Sequence, residues 1–179
     1  MRTLVLGGIR SGKSQWAESA LAEAAGPEQH VQYIATGSSD GDTSWSDRIA
    51  AHQAGRAEHW STLETTDVAG ALRSAPGTPT LVDDLGCWLT AALDRHGWTS
   101  GERGGIAADV DDLVCAVGEF GSPLSLVSPE VGLAVVPATE AGRVFADELG
   151  VLNQRLAEVC DRVVLVVAGQ PVRIKGYAE

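Results

Sequence analysis

The sequence predicts a three-layer α/β domain with a mainly parallel central sheet, and three observations predict it. Apolar strand-like runs alternate with segments of helical periodicity along the chain. The first run, residues 3–6, leads directly into Gly7-Gly8-Ile9-Arg10-Ser11-Gly12-Lys13-Ser14, which satisfies G-x-x-x-x-G-K-[ST] at every required position. A late run, residues 162–168, is almost wholly apolar, as suits a strand buried on both faces of a parallel sheet. Together they predict a P-loop NTPase fold in a single domain over residues 1–179.

A chain of 179 residues with 44% hydrophobic content can bury one substantial core, and no linker-like tract divides it. The net charge of −11 argues against general nucleic-acid binding and leaves room only for a local basic pocket for phosphates. Cys87, Cys115 and Cys160 are odd in number, far apart and without a C-x-x-C pair, so reduced thiols are expected. A strand entered by the third residue leaves no room for a signal peptide ahead of it. No apolar run approaches the roughly 18 residues of a membrane span. The expectation is a soluble, cytoplasmic protein.

In the loop itself, Gly7 and Gly12 permit backbone conformations and a close approach that a side chain would block. Successive N–H groups then face the phosphates, and the following helix N-terminus adds partial positive charge. Lys13 would reach the outer phosphates, and the Ser14 hydroxyl would join the shell of a magnesium ion. Lys13 and Lys175 are the only lysines, so a lysine-rich background does not explain the match.

Residues 13–25 then read as a helix with Trp16, Ala17, Ala20, Leu21 and Ala24 on one face, ended by Gly26-Pro27. Residues 31–35 read as strand two, closing in the polar turn Thr36-Gly37-Ser38, where a parallel strand presents ligand contacts. A polar loop follows, and Ser44 with Asp47 forms a capping box that starts a helix near Trp45. On that helix Trp45, Arg48, Ile49, His52 and Arg56 recur at helical spacing, which places His52 beside two arginines. The residues alone leave two readings open. One is a solvated histidine on an exposed helix, which the pattern by itself favours; the other is an imidazole held beside an anionic group.

Residues 59–64 look extended, Asp67 caps a short helix over 68–75, and Pro76-Gly77-Thr78-Pro79 turns the chain. Residues 80–84 form an apolar strand ending in Asp83 and Asp84. A carboxylate there can hold a metal's water shell or order a nucleophile; the alternative is an acid marking where the strand meets solvent. Asp83 is carried forward ahead of Asp84. Asp83-Asp84-Leu85-Gly86 also fits the GTPase D-x-x-G pattern, but no N-K-x-D guanine reader follows.

Residues 87–95 are helical, and 97–105 read as a surface loop inside the domain. Residues 106–120 form a helix with Val110, Leu113, Val114 and Val117 as its buried stripe. Residues 124–128 are a strand, followed by Pro129-Glu130-Val131-Gly132 and the apolar residues 133–136. Residues 140–149 and 152–160 read as two helices broken at Gly150. After the strand at 162–168, residues 172–175 add a short final one. A ligand crevice at the C-terminal strand ends would gather the phosphate loop, the 36–38 turn, Asp83 and Glu130 on one rim. The residues alone thus point to a magnesium-dependent enzyme that uses a nucleoside triphosphate.

Beyond the loop, an ordered set of stretches carries a more specific likeness. It includes Tyr33-Ile34-Ala35-Thr36, Asp47-Arg48-Ile49-Ala50-Ala51-His52, Gly55-Arg56, His59-Trp60-Ser61-Thr62-Leu63-Glu64 and Leu81-Val82-Asp83. Trp88-Leu89, Glu130-Val131-Gly132, Val135-Val136-Pro137, the run from Arg143 to Gly150, Asn153-Gln154-Arg155-Leu156-Ala157 and Val166-Val167-Ala168-Gly169 complete it. Over essentially the full chain this set resembles the bifunctional adenosylcobinamide kinase/adenosylcobinamide-phosphate guanylyltransferase family of cobalamin biosynthesis.

The resemblance implies two reactions. ATP or GTP phosphorylates the aminopropanol hydroxyl of adenosylcobinamide, and GMP is then transferred from GTP to the resulting phosphate, giving adenosylcobinamide-GDP. It implies that His52 attacks the α-phosphate of GTP and carries the GMP as guanylyl-histidine, with Lys13 and Asp83 as further catalytic residues. By the same likeness, nucleotide contacts fall on Gly7, Gly8, Ile9, Arg10, Ser11, Gly12, Lys13, Ser14, Thr36, Gly37, Ser38, Gln53, Ala54, Gly55, Arg56, Glu64 and Asp83. Ser14 and Asp83 would hold Mg2+, and the family implies a homotrimer with nucleotide sites near subunit boundaries. The chain departs from the family at Pro129, where Asn is usual, and at Asp84 and Gly86, where Cys and Thr are more common. Ala51 stands where some relatives carry a second histidine beside His52. Two other functions fit the loop alone: a simple small-molecule kinase without a covalent intermediate, and a nucleotide-dependent switch protein.

Overall fold

The computed structural model describes residues 1–37, 59–99 and 103–176. The helix expected from Trp45, and with it Ser38, His52, Gln53, Ala54, Gly55 and Arg56, lies outside the described residues. Within them, seven strands form one sheet in the order β3-β2-β4-β5-β1-β6-β7. The strands are β1 (Arg2–Gly7), β2 (Val31–Ala35), β3 (Trp60–Glu64), β4 (Thr80–Asp83), β5 (Leu124–Pro129), β6 (Arg162–Val167) and β7 (Gln170–Lys175). All neighbouring pairs are parallel except β6 with β7, so six strands end on the same rim of the sheet.

Alternation along the strands feeds two cores. Leu4, Ile34, Val82, Leu126 and Val163 point into one, and Val5, Tyr33, Ala35, Leu81, Val127 and Val164 into the other. The second core is covered by α1 (Lys13–Ala25) through Ala17 and Leu21, with Trp16 packed at its edge; Ala24 is exposed. The first is covered by α2 (Val68–Ser74), α3 (Leu85–His96), α4 (Arg103–Glu119) and α5 (Glu140–Val159). Helices on both sides of a mostly parallel sheet are the expected three layers.

Three expectations change in detail. Gly150 does not break a helix: α5 runs unbroken from Glu140 to Val159. Leu149, Leu152 and Leu156 are fully buried on either side of it, and that packing outweighs the ~1 kcal/mol that glycine costs within a helix. The strand over 80–84 stops at Asp83, because the Asp84 carboxylate turns to accept the Cys87 N–H at 2.9 Å and caps α3. The loop expected over 97–105 gives up its end to α4, which starts at Arg103. Asp67 does cap α2, accepting the Gly70 N–H at 2.9 Å.

The sole lysine besides Lys13 has a structural task. Lys175 Nζ donates to the carbonyls of Ala157 at 2.7 Å, Glu158 at 3.0 Å and Cys160 at 2.7 Å, closing the end of α5. Charge-assisted bonds to the orphan carbonyls of a helix C-terminus are favourable twice over, by hydrogen bonding and by the helix dipole. Lys175→Met is expected to cost about 1–2 kcal/mol, a drop of roughly 2–8 °C in Tm, read by calorimetry. An unchanged Tm would mean that water serves those carbonyls equally well.

Candidate active site

The rim at the strand ends is where the chemistry-bearing residues meet. Gly7 ends β1, and Gly12, at φ +89°, forms the N-cap of α1. The loop between them is held from two directions. Glu130 N–H, just past β5, donates to Gly7 C=O at 3.1 Å, and Gly169 N–H, in the β6–β7 turn, donates to Ser11 C=O at 2.7 Å. Gly169 also lies against Gly12: a Cβ on Gly12 would stand 3.2 Å from the Gly169 Cα. Arg10 takes the left-handed φ of 56°, and the Ser11 hydroxyl is buried with no hydrogen-bond partner among the described residues.

Gly7 is needed for close approach. A Cβ there would meet the Val166 carbonyl oxygen at 2.9 Å and press on the Ser11 side chain, so the loop would have to shift. Gly7→Ala is expected to lower both catalytic activities about 100-fold, the scale of an ångström-sized misplacement. Parallel assays of the two reactions check this, and a variant that lost only one of them would contradict the shared loop.

Asp83 sits beneath the loop mouth at the end of β4. Its carboxylate accepts the Tyr33 hydroxyl at 2.8 Å. Burial pushes its pKa up, the neighbouring Asp84 pushes it further, and the Tyr33 and Ser14 hydroxyls with the Lys13 charge pull the other way. Lys13, Ser14 and Asp83 are therefore one electrostatic cluster. Lys13 Nζ itself reaches back to the Gly8 carbonyl at 3.5 Å. Thr36, at the end of β2, joins the cluster by donating its hydroxyl to the Asp84 carbonyl at 2.6 Å.

The structure thus brings together Gly7 to Ser14, Thr36, Asp83 and Glu130. Glu64 shares the rim but not the cluster. It ends the edge strand β3 and pairs with Ala35, four strand spacings from β1, or roughly 19 Å. A ligand touching both the loop and Glu64 must be extended along the rim.

Two departures seen in the sequence meet each other here. A Cβ on Gly86 would stand 2.8 Å from Pro129 Cγ and 3.2 Å from an Asp84 oxygen, so a larger residue at 86 would force Pro129 to shift. The Gly86 of the D-x-x-G pattern is thus explained by packing within the first turn of α3. Cys87, in that same turn, is pushed up to about 12 by burial and by Asp84, and stays a neutral thiol.

Asn153 had not been singled out for a role at the rim. Its amide accepts the Ser128 hydroxyl at 2.6 Å and donates to the Pro129 carbonyl at 3.1 Å, pinning the end of β5 from α5. Its signal was present: a polar residue on an otherwise apolar helix face, between Leu149, Leu152 and Leu156. Tyr33 gave no such signal, because an aromatic residue in a strand reads as core.

Mg2+ takes hard oxygens, commonly one or two from protein, and keeps water and phosphate oxygens for the rest. The Ser14 hydroxyl beside the Asp83 carboxylate fits that pattern. Among the described residues there is no cluster of three or more His, Cys, Asp or Glu side chains suited to an all-protein metal cage.

A glycine-rich loop between β1 and α1, a lysine at the helix start and an acid at the end of β4 define a phosphate-loop, nucleotide-dependent class of enzyme. The cobinamide kinase/cobinamide phosphate guanyltransferase family model matches residues 3–174, and the chain belongs to that family. It is 44% identical over 181 residues to the bifunctional adenosylcobalamin biosynthesis protein CobP of Pseudomonas aeruginosa PAO1, covering 98% of each chain. It is 35% and 36% identical to the CobU proteins of Escherichia coli K12 and Salmonella typhimurium LT2, covering 98% of this chain and all of each relative. A solved structure from Pyrococcus horikoshii OT3 overlays with a TM-score of 0.52 at 11% identity, covering 99% of this chain and 87% of that one, which bears on the fold alone. Among the described residues no helix is long and apolar enough to cross a membrane.

Proposed function

We propose that this chain catalyses both reactions that its family name describes, at one phosphate loop. It phosphorylates the hydroxyl of adenosylcobinamide with ATP or GTP, then transfers GMP from GTP to the phosphate so formed. The observation that carries this reading is the cluster of Lys13, Ser14 and Asp83 at the loop mouth, with Thr36 beside it. Loop N–H groups and Lys13 offset the charge that builds on the departing phosphate oxygens. Arg10 adds a second positive charge. Asp83 orients the acceptor hydroxyl or takes its proton. Ser14 and Asp83 would hold Mg2+, which when bound neutralises phosphate charge.

In the second reaction His52 is the nucleophile. Its imidazole nitrogen bonds to the α-phosphorus of GTP, the bond to the bridging oxygen breaks, and pyrophosphate leaves with that electron pair. The corrinoid phosphate then displaces the histidine and takes the GMP. Cys87, the thiol nearest the cluster, is no rival for this role because it remains protonated. By the family likeness, Thr36, Gly37, Ser38, Gln53, Ala54, Gly55, Arg56 and Glu64 complete the GTP contacts.

Assembly as a homotrimer accords with β7, an edge strand whose residues are all exposed, Val172 by 49% and Ile174 by 61%. A cytoplasmic location accords with the three free cysteines. The deciding experiment uses GTP labelled at the α- or γ-phosphate. Protein retaining α-label but not γ-label after denaturation, together with γ-label on adenosylcobinamide, is the expected result. Corrinoid phosphorylation with no protein label would leave a plain kinase; neither would leave a nucleotide switch.

A further inference from the structure

We propose that the phosphate loop serves two nucleoside positions, the second being a groove on its β6 side that holds the base and ribose of the kinase-step triphosphate. This deepens the reading of Gly7 to Ser14 as the phosphate loop and rests on it. The described nucleotide contacts assigned beyond the loop, Thr36, Gly37, Glu64 and Asp83, lie at the ends of β2, β3 and β4. The groove instead lies over the end of β1, between the chain leaving β5 and the end of β6. Its floor is residues 8–11 of the loop, one wall is residues 165–168 at the end of β6, and the other is Leu133 with Glu130.

Its volume of about 420 Å³ falls in the range of small-ligand sites. Four floor residues are the phosphate loop itself, so a ligand whose phosphates occupy the loop has its nucleoside within reach of the groove. The walls suit a flat apolar ring. Ile9 is 94% exposed, Leu133 83% and Val167 54%, which is an unusual amount of bare apolar surface beside a loop built for anions.

The polar capacity suits a nucleoside too. Glu130 is fixed at both ends, by its N–H on Gly7 C=O at 3.1 Å and by its carboxylate accepting the Gly132 N–H at 2.6 Å. A carboxylate so engaged still has lone pairs to accept ribose hydroxyls or an exocyclic amine. Apolar walls and a carboxylate acceptor match the ring and donor edges of a nucleoside, and Arg10 on the floor faces its phosphates. Two nucleoside positions on one loop also give a physical reason why one chain can run two chemistries. A triphosphate lying toward β6 offers its terminal phosphate for transfer. One lying toward β2 offers its α-phosphate to the opposite side of the rim.

The test uses Val167→Asp and Leu133→Asp, both exposed and outside the loop, with Val151→Asp on α5 as a control. ATP and inorganic tripolyphosphate, which fills the loop but carries no nucleoside, are each titrated against a fluorescent reporter of the loop. The expected result is ATP affinity weakened tenfold or more, tripolyphosphate affinity unchanged within twofold, and self-guanylylation by GTP retained. The KM for ATP in corrinoid phosphorylation should rise by the same factor with kcat little changed. Unchanged ATP affinity would overturn the subsite. So would parallel loss of ATP and tripolyphosphate, which would mean a distorted loop, or loss of guanylylation, which would put both nucleosides in one place. A changed sedimentation state would reassign the groove to a subunit contact. Failure of the wild type to bind tripolyphosphate would instead remove the phosphate-loop reading, and the subsite with it.

Discussion

Asp83→Asn is expected to yield a protein that is more stable than the wild type at neutral pH and almost inactive as a kinase. The stability half follows from burial. The Asp83 carboxyl has its pKa raised above the ordinary 3.8, by burial first and then by Asp84, so the fold favours its protonated form. Stability from such a group is fully present below 3.8 and is lost as pH rises through the folded value. Asparagine has the same shape, can still accept the Tyr33 hydroxyl, and carries no charge to bury. The gain should be on the order of 1 kcal/mol, about 2–4 °C in Tm, at neutral pH and should vanish below pH 3.8. The activity half follows from the same change. An amide neither accepts a proton from the acceptor hydroxyl nor binds a divalent cation as a carboxylate does, and a loss of about 10²–10⁴ in kcat is expected. Calorimetry across pH and a corrinoid phosphorylation assay together decide it. A gain in Tm that persists at pH 3 would show that the effect is packing rather than charge, and full activity would remove Asp83 from the machinery. Sites commonly trade stability for function in this way.

The parts of the fold that were legible in the sequence are those set by local chemistry. The phosphate loop announces itself because few sequences combine its glycines, its lysine and its flanking periodicities, and α1 begins at Lys13 as expected. Asp67 was legible as a cap because an acid before a short apolar stretch has few other uses. Asp84 was harder. The same residue type can end a strand, hold a metal or cap a helix, and only the start of α3 directly after Asp84 decides for capping. Gly150 misled for the opposite reason: its intrinsic cost is real, but burial of the turns on both sides overrides it. Of the braces of the loop, Glu130 was legible as a rim residue after a parallel strand, but the contacts themselves were not. Gly169, Glu130 and Asn153 act on Gly7, Ser11 and the end of β5 from 24 to 158 positions away in sequence, and strand order alone makes them neighbours. Catalytic side chains carry recognisable chemistry; the groups that aim them are ordinary residues in particular places.

His52→Ala is expected to separate the two activities. Guanylyl transfer should fall by at least ~10³-fold, and retained label on the protein should disappear, while corrinoid phosphorylation should stay within a few fold of wild type. The asymmetry follows from where each reaction makes and breaks bonds. In the proposed reading, kinase chemistry joins the acceptor oxygen to the terminal phosphorus and draws only on the loop and the cluster of Lys13, Ser14 and Asp83. Guanylyl transfer attacks the α-phosphorus, two phosphates back along the chain, and needs a nucleophile that the cluster does not contain. Lys13 is proposed to serve the phosphates, and the half-buried Cys87 thiol is held neutral with its pKa pushed up to about 12. An imidazole is a competent nucleophile while neutral, and its phosphoramidate is labile enough to pass the GMP on. The label should therefore be lost in acid and survive in alkali, and it should be discharged from the wild type by adenosylcobinamide phosphate. Label that persisted in the variant would place the nucleophile elsewhere. Equal loss of both activities, with GTP affinity intact, would mean that His52 supports the shared cluster and forms no covalent bond.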